Sequence, residues 1–332
     1  MEAVGKSRLP YVFVLDWDGT IAGKVDFQSA RFSMGKSMAR FGYKLTQKGI
    51  PKAFTPNQGL IRPGFAAFIK ALKEHYGNIL FFIYTASDRQ WALQEIPWVE
   101  KSHGIQFQRP IFTREDCVID AQGNYRKKLQ NIWPRIVRVL NARHGSPYSK
   151  ADKEHILNEQ TLLIDNNAVY TDRTDRLLLC PDYHYMVFED LLEGFPEHAM
   201  EHPTVQQQIY HWINEGLICP YSVSHRWPMA PAGMAGGGAP APAPEHHVKD
   251  PMTRMTKQYE WYTQKCKSIL HANRPYQHDI FWPYLKKLIL KNNLSTFSRS
   301  VIQQLQNAVW KQTRKVGFPT GAPMHAQNPT LK

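Results

Sequence analysis

Apolar positions along this chain follow two different periods. Tyr11 to Leu15 is a nearly all-apolar run ending at Asp16, as a strand buried on both faces would. Ile79 to Tyr84 and Thr161 to Ile164 repeat the pattern, and Tyr185 to Phe188 is a weaker fourth strand candidate. Between these runs the spacing turns helical. Phe65, Phe68, Ile69 and Leu72 follow a Pro63-Gly64 start, and Leu129, Ile132, Trp133, Ile136, Val137 and Leu140 keep one stripe over three turns. Strands alternating with helices predict parallel β-α-β units, hence an α/β fold around a central parallel sheet. A stripe of Val205, Ile209, Trp212 and Ile213 closes this part.

Pro228 to Pro244 breaks the pattern, being too rich in Gly, Pro and Ala to build a core. Three helical stripes follow: Met255, Tyr262, Cys266 and Ile269; Ile280, Phe281, Tyr284, Leu285 and Leu288; Phe297, Val301, Leu305 and Val309. The expected division is an α/β domain over residues 1–227, a linker over 228–247, a small all-α basic domain over 248–315 and a disordered tail over 316–332.

Charge sharpens this division. Of the 332 residues 42% are apolar and 21% charged, which excludes a wholly disordered or collagen-like chain. Lys and Arg number 41 against 28 Asp and Glu, for +13; from Glu245 onward the count is 14 against 4, so +10 of the excess lies there. A local basic excess fits an acidic partner for the C-terminal part, a nucleic acid or an acidic protein, although a charge run is also the ordinary pattern of a solvated face. Cys117, Cys180, Cys219 and Cys266 form no C-x-x-C pair and read as reduced thiols of a cytosolic or nuclear protein. Met1 to Pro10 lacks the apolar run of a signal peptide, and no stretch approaches the roughly 20 apolar residues of a membrane span, so no membrane association is expected.

Open α/β sheets place ligands at the carboxyl ends of their strands. After the first run stands Asp16-Trp17-Asp18-Gly19-Thr20, two carboxylates one residue apart that can divide the work of nucleophile or metal ligand and general acid/base. After the second stands Thr85-Ala86-Ser87, and after the third Asp165-Asn166-Asn167, hard oxygen donors suited to Mg²⁺. Lys127 and Lys128 open the long helix and bring positive charge to the same end. Read singly, each has a plainer meaning. Asp-Gly is a common turn, Thr85 can satisfy a strand end, Ser87 is expected to cap the helix that begins at Asp88, and either lysine can be solvated. Trp91, Trp98 and Trp133 sit on helical patterns and read as core, and the fourteen histidines show no metal-ligand spacing.

Taken in order, Asp-x-Asp-Gly-Thr, Thr, Lys and Asp-Asn resemble the haloacid dehalogenase superfamily. Arg62-Pro63-Gly64, Tyr84-Thr85-Ala86-Ser87, Phe112-Thr113-Arg114-Glu115-Asp116-Cys117-Val118, Asn124-Tyr125-Arg126-Lys127 and Ile164-Asp165-Asn166 narrow the resemblance to a divergent member of its FCP/SCP branch. That branch comprises the NLI-interacting-factor-like and RNA polymerase II C-terminal-domain phosphatases. The resemblance runs from about Tyr11 to Gly216. It implies a Rossmann-like fold and a Mg²⁺-dependent phosphatase working through an aspartyl-phosphate. Asp16 matches the nucleophile, Asp18 the general acid/base and a backbone-carbonyl ligand of Mg²⁺, and Thr85 the residue that hydrogen-bonds the phosphoryl group. Lys127 matches the lysine that balances the phosphoryl charge, Asp165 the carboxylate holding that lysine and metal-bound water, and Asn166 a Mg²⁺ ligand; Asp16 is itself counted among the metal ligands. The implied substrate is a phosphoserine or phosphothreonine protein, the C-terminal domain of RNA polymerase II among them. A nucleic-acid 3′-end phosphatase and a non-catalytic adaptor keeping the fold are the alternatives. Three features depart from the branch: Gly19-Thr20 after the second aspartate, a shortened Asn167-Ala168-Val169-Tyr170, and a helical stripe through Phe27, Ala30, Met34, Met38 and Phe41.

Overall fold

The computed structural model describes residues 8–23, 49–183 and 279–316, with positions 39, 40, 42 and 185. The stripes at 205–213 and 255–269, the 228–247 linker and the tail beyond 316 lie outside the described residues, as does the Phe27 to Phe41 stripe apart from helical positions 39 and 40.

Strand β1 (Tyr11–Leu15) is central and fully buried, paired in parallel with β2 (Ile79–Ile83) on one side and β5 (Thr161–Asp165) on the other. Beyond β5 lies β6 (Leu177–Leu179), also parallel, giving the order β2-β1-β5-β6. A short antiparallel hairpin, β3 (Val118–Ile119) and β4 (Tyr125–Arg126), stands apart from the sheet. The sheet's fourth strand among the described residues is Leu177–Leu179, which the apolar runs did not announce; of the expected Tyr185 to Phe188 strand, Tyr185 has no regular structure and 186–188 lie outside the described residues.

Alternation along β1 sends its side chains to two cores. Val12 and Val14 join Leu80, Phe82 and Leu163 against the inner stripe of α3 (Leu129–His144): Leu129, Ile132, Ile136 and Leu140. Phe13 and Phe81 face the other way and meet Phe68 of α1 (Phe65–Tyr76). Helices α2 (Arg89–His103) and α4 (Lys150–Glu159) complete the crossovers. Helix α4 has one buried side chain, Ile156, and starts at a capping box in which Ser149 and Asp152 satisfy each other's backbone N–H. Parallel strands with helices on both faces make the α/β architecture that the alternation predicts.

The C-terminal helices require a correction. Helix α5 (Phe281–Lys291) and helix α6 (Arg299–Val316) are not a separate basic domain: the compact unit that holds the sheet comprises residues 1–24, 52–183 and 276–316. A second unit gathers residues 25–51, 184–275 and 317–332, most of them outside the described residues. The reason is apolar burial. Trp282 of α5 packs on Phe65 and Phe68 of α1, with ring centroids 5.0 and 4.8 Å apart, and Phe297 packs edge-on against Phe13 at 5.0 Å. Gly64, at φ +79°, admits Pro283 so closely that a Cβ there would lie 2.6 Å from the proline ring. Arg62 and Asp279 then form a buried two-pronged ion pair, both contacts 2.9 Å. The helical stripes announce buried faces, but the surface they cover is the sheet domain itself.

Candidate active site

At the carboxyl ends of β1, β2 and β5 the structure gathers Asp16, Asp18, Thr85, Lys127, Asp165 and Asn166. Lys127 is the centre. Its Nζ donates to Asp16 Oδ1 at 2.6 Å and Asp165 Oδ2 at 2.7 Å, and its side chain is 2% exposed. The rings of Tyr84 and Tyr170 flank the ammonium at 5.6 and 5.9 Å. Lys127 precedes α3 rather than lying within it, and the chain fixes it through backbone bonds to the loop after β5: Lys127 N to Val169 O and Thr171 N to Lys127 O, each 3.0 Å. Asp172, on the same loop, caps α3 through the N–H groups of Leu129 and Gln130. Lys128, at the helix cap, takes no part in this cluster.

Two carboxylates hold the Lys127 ammonium with Asp18 beside them, and the titration of Lys127, Asp165 and Asp18 reflects it. Burial lowers and the Asp16 and Asp165 charges raise the Lys127 ammonium; the carboxylates prevail and hold it above the ordinary lysine value. Burial, reinforced by Asp16, pushes Asp165 up, while Lys127 pulls against it. Burial likewise pushes Asp18 up to about 6, the Ser87 hydroxyl opposing and Asp16 adding to the rise. Asp18 is thus brought into the range where a carboxyl can both give and take a proton near neutrality.

Thr85 Oγ donates to Asp18 Oδ2 at 3.3 Å and accepts from Ser87 N at 3.0 Å. Ser87 Oγ donates to the same Asp18 oxygen. Ser87 is therefore not the cap of α2; that role belongs to Asp88, which accepts from Gln90 N at 2.8 Å. Glu95 of α2 receives the indole N–H of both Trp17 and Trp91, which anchors the turn between the two aspartates.

The oxygens fit a small hard cation. Thr20 Oγ lies 3.0 Å from Asp16 Oδ2 and 3.2 Å from Asn166 Oδ1, and it accepts from Asn166 N at 3.0 Å. The hydroxyl has one proton for two acceptor oxygens, so one of them faces the site without a donor from it. Asp16 Oδ2 and Asn166 Oδ1, bridged by the Thr20 hydroxyl, are oxygen donors of the kind Mg²⁺ takes. Both Asp165 oxygens already hold protein donors, Lys127 on one and Asn167 N at 2.8 Å on the other, which suits an outer role for that carboxylate. Among the described residues no group of three or more His, Cys, Asp or Glu side chains is arranged as a metal site; the candidate set draws on the Asn166 amide instead.

The family profile described as NLI interacting factor-like phosphatase matches residues 11–193, which span more than half of the chain and carry every residue of this cluster. The chain belongs to the NLI interacting factor-like phosphatase family. No curated protein matches it. Two solved structures align over 92% of this chain and 71% of their own. One is Fcp1, an essential RNA polymerase II CTD phosphatase, at 15% identity and a TM-score of 0.33. The other is a variant of fission yeast RNA polymerase II CTD phosphatase Fcp1 bound to beryllium fluoride, at 13% and 0.32. At such scores these likenesses carry no argument about activity.

In this NLI interacting factor-like chain the sequence reading missed Thr20, Ser87, Glu95 and Asp182 as parts of the site. Thr20 and Ser87 were in view as members of the motifs. Glu95 and Asp182 carry no local signal, because what recruits them is proximity across the fold. Among the described residues no helix is long and apolar enough to cross a membrane.

Proposed function

We propose that this protein is a Mg²⁺-dependent phosphomonoesterase acting on phosphoserine or phosphothreonine in a protein, through a covalent phosphoryl-enzyme at Asp16. The observation that carries the reading is Lys127 held between Asp16 and Asp165, with Asp18 two residues on from Asp16 and poised near neutrality. A phosphoryl group repels an anionic nucleophile unless its oxygens are neutralised, and a buried, permanently charged lysine beside that nucleophile serves this purpose.

In the first step an Asp16 oxygen forms a bond to phosphorus while the bond from phosphorus to the substrate oxygen breaks. Asp18 gives its proton to the departing oxygen. In the second step Asp18, now a carboxylate, takes a proton from water, the water oxygen bonds to phosphorus, and the Asp16–phosphorus bond breaks to release phosphate. Asp16, Asn166 and the Asp18 carbonyl are the groups that would hold Mg²⁺, which when bound supplies further neutralisation of phosphoryl charge. Thr85 and Ser87 orient Asp18 through its Oδ2.

The test is hydrolysis with Mg²⁺ of an aryl phosphate, a phosphoserine peptide panel and a 3′-phosphorylated oligonucleotide. Turnover of the peptides that disappears in Asp16→Asn, with the fold intact, is the expected result. Near-wild-type turnover by Asp16→Asn would overturn the nucleophile assignment. Preference for the oligonucleotide would overturn the protein substrate, and lack of activity on all three would overturn the enzyme reading in favour of an adaptor.

A further inference from the structure

Resting on that reading, we propose that Asp182 is a positioning residue that fixes which end of the Asn166 amide faces the metal. An asparagine side chain is nearly symmetrical in shape, yet only its oxygen can ligate a cation. Something must choose between its two orientations. Asn166 Nδ2 donates to Asp182 Oδ1 at 2.8 Å. A carboxylate without a proton only accepts, so the amide must turn its NH₂ toward Asp182, and its oxygen is left facing the Thr20 hydroxyl that also contacts Asp16.

The backbone on either side of Asp182 is held in place. Arg62 Nη1 donates to the Pro181 carbonyl at 2.8 Å, immediately before it, and Tyr183 N donates to Gly19 O at 2.8 Å, immediately after. Cys180 N is bonded to Asp165 O at 2.9 Å, tying the same turn to the end of β5. Gly19 forms the floor. At φ +75° and with no side chain it lets the Asn166–Asp182 pair lie against its backbone; a Cβ there would stand 2.5 Å from Asn166 Nδ2 and 2.6 Å from Asp182 Oδ1. The glycine after Asp18 therefore does more than make a turn: it leaves room for an amide held in one orientation. Outer partners of this kind typically govern metal affinity as strongly as some ligands do.

The experiment is Mn²⁺ binding to the full-length protein, read from the electron paramagnetic resonance signal of free Mn²⁺, with circular dichroism melts to confirm folding. Asp182→Ala is expected to bind Mn²⁺ about 10–100-fold more weakly than wild type. Asp182→Asn, isosteric and gentler on the fold, is expected to lose less, because an amide can meet Asn166 either way round. The exchange variant Asn166→Asp/Asp182→Asn should recover affinity, since a carboxylate at 166 then accepts from an amide at 182 and needs no choice of end. Wild-type affinity in a folded Asp182→Ala, or an exchange variant no better than Asp182→Ala, would overturn the role of Asp182 while leaving the metal reading intact. Absence of Mn²⁺ binding by the wild type would overturn both.

Discussion

Replacing Asp279 by alanine tests whether the last helices belong to the catalytic unit. Both carboxylate oxygens of Asp279 accept from Arg62 at 2.9 Å, and Oδ1 also accepts from Phe281 N at 3.0 Å. The two side chains are 0% and 3% exposed. Without Asp279 the guanidinium keeps the Pro181 carbonyl and the Phe281 and Tyr183 rings at 4.6 and 5.3 Å, but no anion. The Phe281 and Tyr183 rings beside it are themselves buried and supply no countercharge. Removing one partner of such a pair costs about 3–5 kcal/mol. At about 2–4 °C per kcal/mol for a unit of this size, the melting temperature should fall by about 6–20 °C. Circular dichroism melts of the wild type, Asp279→Ala, Arg62→Met and the double variant complete a cycle. The double variant should lose less than the two single losses added together, because no charge is then left buried alone. A fall of less than about 2 °C in Asp279→Ala would refute the reasoning and restore a separable C-terminal domain.

Lys127→Ala should reduce phosphatase turnover by about 10²–10³-fold and Lys128→Ala should leave it near wild type, since only Lys127 reaches the carboxylates; steady-state kinetics on an aryl phosphate decides. Asp18→Asn should cripple hydrolysis of alkyl phosphates more than that of nitrophenyl phosphate, whose leaving group needs no proton, as a series of leaving groups would show. Burial holds the ring of His103 below the ordinary histidine value. The unfolded chain therefore takes up that proton first, so stability should decline as pH falls through about 6.5, and His103→Gln should flatten that part of the profile in denaturant titrations.

What was legible in the sequence follows from how strongly burial constrains it. Strands β1, β2 and β5 are buried on both faces of a parallel sheet and so are apolar throughout or, in β5, apolar between Thr161 and Asp165, which is why they stand out. Strand β6 is an edge strand of three leucines, too short to show a period, and its outer edge is satisfied by a side chain: Gln306 bonds both Leu179 N and Leu179 O. Helix α4 has too little buried surface to leave a stripe, and only the Ser149-x-x-Asp152 spacing betrays it. The motif residues of the site were readable because each follows a readable strand or sits at a readable helix start. Asp182 was not, since its part depends on the Asn166 amide reaching it across the fold. An amphipathic stripe states that a helix is covered and is silent about what covers it, so α5 and α6 were visible as helices and misassigned as a domain.

The Arg62 ion pair also orders events in time. Its partners are 217 residues apart, and at about 5–20 residues per second a ribosome needs roughly 10–40 s to add Asp279 after Arg62. By the end of that interval the nascent chain has Asp16, Thr85, Lys127 and Asp165, while the face of α1 that will receive Trp282 is still open to water. A chain that stops before residue 279 is therefore expected to lack the packing that completes the sheet-bearing unit. It leaves the Trp282-facing surface of α1 bare and Arg62 without its anion, so completion of the sheet-bearing unit waits on the part of it translated last.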